Sequence, residues 1–272
     1  MEGYNNERLT VDGIREKITS TYPYHDIIVI EGYYRTKEFL GKVDSTWGNG
    51  FLCGKDDESC LNVSNGKKYD IEDNSRVLCE GVLKAEVEHP WQDLGNIVIK
   101  QAFEIRRYID DEELIGLLNK KSKIRKPVIW ETLRKSETKP RVCLVSPKSK
   151  ATVRDFGEGI QECSSMYEID VRPLPYYGIT AEKYCKELEL MDDHLYDVIC
   201  FLSGGRDSIK SESDAGYGVL HDADVLRTIA NMQTPTIGAI GHSNAYHLFD
   251  MAFTDSLGNS GLLGVKLREI LG

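Results

Sequence analysis

The chain has 272 residues, of which 40% are hydrophobic and 29% charged, so it can bury a sizeable core. No apolar run approaches the roughly 20 residues that a membrane-spanning helix needs, and the N-terminal stretch MEGYNNERLT is too polar for a secretory signal. These features predict a soluble globular protein with one large domain or two smaller ones.

The formal net charge of −10 argues against a nucleic-acid-binding protein, but the charge is unevenly distributed. Twelve Lys or Arg residues and only two acids lie between Lys120 and Arg154, which leaves 22 basic and 42 acidic residues elsewhere. This asymmetry is typical of a basic track on an acidic body, on which Lys123 and Arg125 would contact nucleic acid. A solvated, Lys-rich linker explains the same charges equally well.

The seven cysteines form no CxxC pair and no Cys/His cluster with the spacing of metal ligands. Cys143 and Cys200 lie inside apolar strand patterns, where they are interpreted as small core residues. We therefore expect reduced thiols and a cytoplasmic location.

The first part of the chain predicts a small β-barrel over residues 1–108. Its strand patterns lie at 26–34, 47–54, 60–63, 76–87 and 96–105. Five strands separated by polar turns over about 80 residues, with Gly81 at a bend inside the longest, favour an OB-like, all-β fold. Tyr33, Tyr34 and Trp47 would stack on bases if they lie on an exposed face, and would otherwise belong to the core.

The remainder divides into a basic connector at residues 109–140, which contains a short helix pattern at 110–118, and a domain at 141–272. In that domain the strand patterns lie at 141–145, 166–173, 198–202 and 235–240, and the helix patterns at 151–165, 180–191, 222–232 and 261–271. Thr180 is a candidate N-cap of its helix. The alternation predicts an α/β domain with an open, roughly four-stranded parallel sheet and helices on both faces.

Three strands of this domain end in loops that carry cations, glycines or a histidine. In chain order these loop residues are Lys148, Lys150 and Asp155, then Ser203, Gly204, Gly205 and Arg206, then His242. Because ligands bind at the carboxyl ends of parallel strands, we expect the three loops to meet. Cations and glycine N–H groups suit a phosphate, and a histidine suits proton transfer. The sequence thus predicts a phosphodiester site that lacks the dense carboxylate cluster of a two-metal nuclease.

Each of these side chains also has a purely structural interpretation. His242 would then bond the backbone at a helix start, Asp155 would form an exposed ion pair with Arg154, and the lysines would be solvated. His247, one turn beyond His242, is interpreted as a packed residue. No GxSxG elbow, P-loop or GxGxxG motif is present in the sequence.

Three segments resemble the large subunit of bacterial exonuclease VII. Residues 146–155 are similar to that family's TSP…GAAIRD segment, 197–206 to its DVIIxxRGGGS, and 234–242 to its IPVISAVGH. The resemblance implies an OB domain that binds single-stranded DNA and an α/β domain that hydrolyses its phosphodiester bonds. It also implies catalytic roles for Asp155, His242 and, by a local shift, Arg206.

The chain departs from the family pattern at two positions. Ser203 stands where the family has its arginine, and Arg206 instead follows the glycines. Ala245 replaces an Asp three residues after the histidine, while Asp250 matches another acidic family position. The coiled coil that carries the family's small subunits has no counterpart before Gly272, so a small subunit is not an expected partner.

These observations predict exonuclease VII-like hydrolysis of phosphodiester bonds in single-stranded DNA. His242 would protonate the leaving oxygen or activate water, and Arg206 and Lys150 would hold the phosphate. Asp155 would orient His242 or recruit a divalent ion such as Mg²⁺, the one cofactor left open. The alternative is a single-stranded nucleic-acid-binding protein, or a subunit of a larger complex, with impaired catalysis. A small-nucleotide enzyme and a homo-oligomer are also left open.

Overall fold

The computed structural model describes twelve stretches of the chain. They are residues 9–10, 27–36, 50–55, 60–64, 69–88, 98–123, 127–136, 138–147, 150–193, 196–203, 217–241 and 246–271. The chain divides into an N-terminal unit, Met1–Ile115 with Tyr246–Leu248, and a C-terminal unit, Gly116–Ala245 with Phe249–Gly272. Within the described stretches, no helix combines the length and the apolar character needed to cross a membrane.

The N-terminal unit is a five-stranded mixed β-barrel. Its strands are β2 (Ile27–Arg35), β3 (Gly50–Cys53), β4 (Cys60–Ser64), β5 (Arg76–Glu88) and β6 (Val98–Ile109), and a short β1 (Leu9–Thr10) lies parallel to β2. The barrel order is β2-β3-β4-β6-β5, and β5 pairs back with β2 to close it. Among these five strands only β4 and β6 pair in parallel. The predicted OB-like barrel is therefore confirmed.

Closure of the barrel depends on a close backbone approach at Gly81. The register of β5 against β6 shifts between Glu80 and Gly81, which marks a β-bulge. A Cβ atom at Gly81 would lie 2.2 Å from the carbonyl oxygen of Glu104 and 2.7 Å from Cζ of Phe103. Because no side chain fits into such a gap, glycine allows the long strand to bend where the sequence pattern places its interior glycine.

Cys53 and Cys60 form a disulfide, with their Cα atoms 4.1 Å apart. The antiparallel pairing of β3 and β4 places the two residues directly opposite each other. The expectation of reduced thiols is therefore wrong for this pair, and it no longer supports the inference of a cytoplasmic location. The other five cysteines are free, and burial raises the pKa of the Cys143 thiol to about 12.

Two helices lie within residues 109–140, the stretch interpreted from the sequence as a basic connector. They are α1 (Glu112–Lys123) and α2 (Pro127–Arg134). Asp111 Oδ1 accepts a hydrogen bond from Leu114 N at 2.9 Å and so caps α1. Ile129 and Leu133 of α2 belong to the core of the C-terminal unit, so this helix is anchored by apolar packing.

The C-terminal unit is an open, all-parallel sheet with helices, which confirms the predicted α/β class. Its strands are β7 (Arg141–Ser146), β8 (Glu168–Pro173), β9 (Val198–Ser203), β10 (Thr236–Ile240) and β11 (Asp255–Ser256), in the order β11-β10-β9-β7-β8. The sheet has five strands rather than four, because the two-residue β11 is too short to carry a hydrophobic pattern. The extended segment predicted at 166–173 contains β8.

Besides α2, the described residues of this unit form α3 (Lys150–Ile160), α4 (Ala181–Asp192), α5 (Ala223–Asn231) and α6 (Ser260–Leu271). The predicted N-cap of α4 is confirmed, since Thr180 Oγ1 accepts a hydrogen bond from Lys183 N at 3.3 Å. Helices α3 and α6 pack backbone to backbone. A Cβ atom at Gly159 would lie 2.4 Å from the carbonyl oxygen of Gly261.

The bulge at Gly81 generates the first prediction. Gly81→Ala should lower the free energy of unfolding by about 1–3 kcal/mol, because the added methyl group meets the β6 backbone. Gly116→Ala is the matched control, since Gly116 lies exposed in α1 and nothing lies within 4 Å of a Cβ atom there. That variant should gain up to about 1 kcal/mol. Denaturant unfolding followed by circular dichroism measures both, and equal loss in the two variants would contradict the prediction.

Candidate functional site

The strand order places a topological switch point between β7 and β9. From β7, the first strand of the unit, the chain runs outward to β8 on one side and then returns to β9 on the other. When the five strands are numbered in chain order, their order across the sheet is 2-1-3-4-5. In sheets with this order, ligands bind at the point where the winding direction reverses. Ser146 and Ser203 are the last residues of the two strands that flank this point.

The registers show that the strands carrying the three predicted loops end at one edge of the sheet. Ser203 of β9 pairs with Ile240 of β10, and Val145 of β7 pairs with Phe201 of β9. Each strand therefore stops within about two residues of its neighbour, at a rise of about 3.3 Å per residue. The predicted common edge is confirmed for the strand ends.

Two buried tyrosines contact the carboxyl ends of β9 and β10. Tyr176 donates a hydrogen bond to the carbonyl oxygen of Leu202 at 3.0 Å, and its own carbonyl accepts from Val219 N at 2.9 Å. The hydroxyl of Tyr217 lies close to Gly241, where a Cβ atom would be 2.6 Å away and φ is +88°. Tyr217, the first described residue after β9, thus contacts Gly241, the first residue after β10.

The connection from β7 to α3 is closed by a buried hydroxyl pair. Ser146 Oγ lies 2.9 Å from Thr152 Oγ1 and donates to the carbonyl oxygen of Pro147 at 3.0 Å. Either hydroxyl can be the donor in the first contact. Both side chains are almost fully buried, so they hold the first turn of α3 against the end of β7.

Asp155 lies on α3 with 49% of its side chain exposed. Its Oδ1 is 3.8 Å from Nη2 of Arg154, and Nε of the same arginine lies 3.7 Å from Oε1 of Glu158. The exposed ion pair offered as the structural interpretation of Asp155 is thus present. Pairs of this kind contribute little to stability, so the Asp155 carboxylate is open to solvent and to a ligand.

Several predicted site residues lie outside the described residues. They are Trp47, Arg125, Lys148, Gly204, Gly205, Arg206 and His242. Of Lys123 and Lys150 the backbone alone is described: Lys123 ends α1 and Lys150 begins α3. Ser203 is described as the partly buried last residue of β9.

The two adjacent tyrosines of β2 face opposite sides of the barrel wall, as side chains of a strand must. Tyr34 is 3% exposed in the barrel core, and burial raises its pKa, with a smaller contribution from the negative charge of Asp73. The prediction that Tyr34 stacks on bases is therefore wrong. Tyr33 is partly exposed, and its ring centroid lies 5.9 Å from the guanidinium carbon of Arg35.

A buried carboxylate in the N-terminal unit gave no signal in the sequence. Glu80, fully buried beside the bulge, accepts a hydrogen bond from Arg107 Nη1 at 2.7 Å and one from Leu248 N at 3.0 Å. Its Oε1 also lies 3.3 Å from Nδ1 of His247. The interpretation of His247 as a packed residue is confirmed. In the sequence, residues 242–245 link β10 to the segment that Glu80 holds.

A cleft of about 470 Å³ opens beside the end of β8 and the start of α4. Its charged lining residues are Arg172, Lys183 and Glu187. Arg172 is already bonded to Asp170 and Tyr196, and the opposite charges of Lys183 and Glu187 compensate each other. Asp155, the predicted catalytic residue that the structure describes, does not line this cleft. The switch point, where the strands that carry the motif segments end, is the better candidate site.

Comparison of the chain with models of known protein families and with curated proteins found no match. The candidate site is therefore supported by the strand order, the registers and the loop residues alone. In the part of the chain that the structure describes, no group of three or more His, Cys, Asp or Glu residues is arranged to hold a metal ion.

The Glu80 cluster generates the second prediction. Glu80→Gln should lower the free energy of unfolding by about 2–4 kcal/mol, because it removes the negative charge that Arg107 and His247 face in a buried site. Glu131→Gln is the matched control, since its pair with Lys135, 3.6 Å apart, is exposed. The control should change stability by less than about 0.5 kcal/mol. Urea unfolding of both variants tests this, and a Glu80→Gln protein as stable as the control would show that the cluster is not stabilising.

Proposed function

We propose that this chain hydrolyses phosphodiester bonds in single-stranded DNA, as its resemblance to the exonuclease VII large subunit implies. One observation carries the proposal. The three segments of that resemblance are far apart in the sequence. The first begins at the last residue of β7, and the other two contain β9 and β10. These are adjacent strands of one parallel sheet. Their loops start at the edge where such sheets bind ligands, beside the switch point.

In this proposal the loops after β7 and β9 bind the phosphate. The glycines after Ser203 would offer backbone N–H groups to the phosphate oxygens, and Arg206 would add a fixed positive charge. Lys150 is the first residue of α3, where the helix N-terminus also favours an anion, and Lys148 precedes it by two residues in the sequence. The substrate suited to this set is a phosphodiester, which carries one negative charge per linkage.

The loop after β10 would move the proton. His242 directly follows Gly241, whose positive φ turns the chain sharply out of the sheet. A histidine there can protonate the leaving oxygen or accept a proton from the attacking water. Asp155, with its exposed carboxylate on α3, would orient His242 or hold a divalent ion such as Mg²⁺.

The OB-like barrel supports a single-stranded substrate, since barrels of this kind bind single strands through basic grooves and aromatic faces. Tyr33 supplies one partly exposed aromatic on β2. The basic run at 120–126 would supply contacts to phosphates. Lys120 is exposed, whereas burial lowers the pKa of Lys121, an effect that the negative charge of Asp192 opposes. Lys120 is therefore the better phosphate contact.

The third prediction tests the proposed chemistry. Purified protein should degrade an end-labelled single-stranded oligonucleotide, and His242→Ala should slow this at least about 100-fold, because a general acid or base contributes that much. His194→Ala is the matched control, since His194 lies in the sequence between α4 and β9 and outside the three segments that carry the resemblance. It should retain the wild-type rate. Equal cleavage by wild type and His242→Ala would reject the proposal.

Asp155 has its own matched control within the same assay. Asp155→Asn should slow cleavage, whereas Glu158→Gln, one turn or less away and facing the same Arg154, should not. Both variants should unfold within about 0.5 kcal/mol of wild type, because both ion pairs are exposed. A loss of rate in Asp155→Asn is then not a loss of folding.

A single-strand-binding protein with impaired catalysis, either alone or as a subunit of a larger complex, is the second candidate. Two departures from the family pattern favour it: Ala245 in place of an Asp, and Arg206 on the far side of the glycines. Such a protein would keep the barrel, the basic run and the phosphate loops but lack an oriented proton donor.

The fourth prediction separates this candidate from the first. The chain should bind a labelled single strand with an affinity that falls about tenfold or more for a fourfold rise in salt, because bound phosphates release counterions. Fluorescence anisotropy at several salt concentrations measures the slope, and the same strand recovered intact identifies binding without cleavage. Absent or salt-independent binding would count against both candidates.

A further inference from the structure

Strand β8 lies at the end of the strand order, and among the described residues only β7 pairs with it. Glu168 N donates to the carbonyl oxygen of Pro140, and Leu174 N donates to that of Ser146, each at 2.9 Å. Every second residue from Glu168 to Leu174 therefore directs its backbone N–H and C=O groups toward β7. By strand alternation, Ile169 and Val171 direct their N–H and C=O groups away from the sheet.

The side chains along this edge alternate in character. Val171, at the centre of the strand, is 42% exposed. Asp170 and Arg172 on either side of it share the other face, and each side chain is 43% exposed. A β-branched residue flanked by one acid and one base thus occupies the middle of an open strand edge.

The Asp170 and Arg172 side chains are held in place by hydrogen bonds, and each has further hydrogen-bonding capacity. Arg172 Nε donates to Asp170 Oδ2 at 2.8 Å, Tyr196 also donates to Oδ2, and Arg172 Nη2 lies 3.1 Å from the Tyr196 hydroxyl. Within the described residues no hydrogen bond reaches Asp170 Oδ1 or leaves Arg172 Nη1. The hydrogen bond from Tyr196, with a smaller effect of Arg172, lowers the pKa of Asp170, so this carboxylate is charged at neutral pH.

We propose that β8 pairs with β8 of a second copy of this chain, antiparallel and centred on Val171, so that two five-stranded sheets become one continuous sheet. The proposal concerns the C-terminal unit alone and does not depend on the proposed function. The two-fold axis would pass beside Val171, which makes the contact isologous.

The outward backbone groups match this pairing. Val171 and the partner's Val171 would exchange two hydrogen bonds, and each Ile169 N–H would donate to the carbonyl oxygen of the partner's Pro173. Pro173 lacks an N–H group, but the pairing needs only its carbonyl. Pro173 would also prevent the pairing from extending, because it cannot donate a hydrogen bond at the end of the strand edge.

The charges fix the register. With Val171 opposite itself, Asp170 faces the partner's Arg172 and Arg172 faces the partner's Asp170, at the narrow positions where Cα atoms lie about 4.5 Å apart. A slip of two residues one way would oppose the two Asp170 side chains, and a slip the other way the two Arg172 side chains. The slip that opposes the two Asp170 side chains also places each Glu168 opposite the partner's Arg172, but it keeps two like charges facing each other at the axis. Of these three registers, only the centred one joins opposite charges without opposing like charges. Opposite charges stabilise a cross-strand pair, whereas like charges destabilise it.

This self-complementarity is what favours a second copy over an unrelated strand. An arbitrary partner would need an arginine and an aspartate at matching positions, whereas a copy of the chain supplies both through symmetry. The exposed Val171 side chains would also meet across the axis as a β-branched pair.

The fifth prediction tests the dimer by sedimentation or light scattering. The wild-type chain should have twice the mass of one chain. Asp170→Arg and Arg172→Asp each oppose like charges twice across the axis, and each should raise the dimer Kd at least about tenfold. Glu182→Arg makes the same change in charge as Asp170→Arg at an exposed position of α4, and this control should remain dimeric.

Rescue separates loss of the contact from loss of the fold. An equimolar mixture of Asp170→Arg and Arg172→Asp proteins should form a heterodimer, because every cross-strand pair then joins opposite charges. The double variant D170R/R172D should dimerise with itself for the same reason, and it keeps the pair within each chain. A monomeric wild type, single variants that dimerise like wild type, or failure of both rescues would overturn the proposal.

Discussion

Parallel pairing of β7, β9 and β10 is the constraint on which the candidate site depends. These strands are buried, so their residues are fixed in register by the core as well as by hydrogen bonds. The same pairing determines where each strand stops, and therefore where each polar loop begins. Ser203 beside Ile240 is the clearest case, because the glycine loop and the histidine loop start next to each other there.

In the barrel, a close backbone contact has a comparable role. Gly81 lets β5 bend against β6, and the adjacent Glu80 is buried at the bulge. A buried carboxylate is costly unless it is paired, and here Arg107 and the backbone N–H of Leu248 satisfy it. One bend in a strand thus creates the site that holds the segment after the His242 loop.

The charged residues differ in what they do according to their burial. Asp155 is exposed and weakly paired, so a substitution there should change stability little. Glu80 is fully buried and multiply bonded, so its loss acts on the fold. Asp170 and Arg172 lie between these cases, oriented by Tyr196 yet half exposed, which is the state suited to a contact between chains.

The sequence by itself determined the two fold classes and most of the strands and helices, because apolar runs, turn residues and the Thr180 cap act over a few neighbouring residues. It did not predict α2 or the two-residue β11. It predicted an OB-like barrel and a parallel sheet, and it identified the three loops. Only the tertiary structure decided the strand order and registers, the disulfide between Cys53 and Cys60, the burial of Tyr34 and the partners of Glu80. These features depend on hydrogen bonds and packing between residues far apart in the chain, which no local pattern encodes.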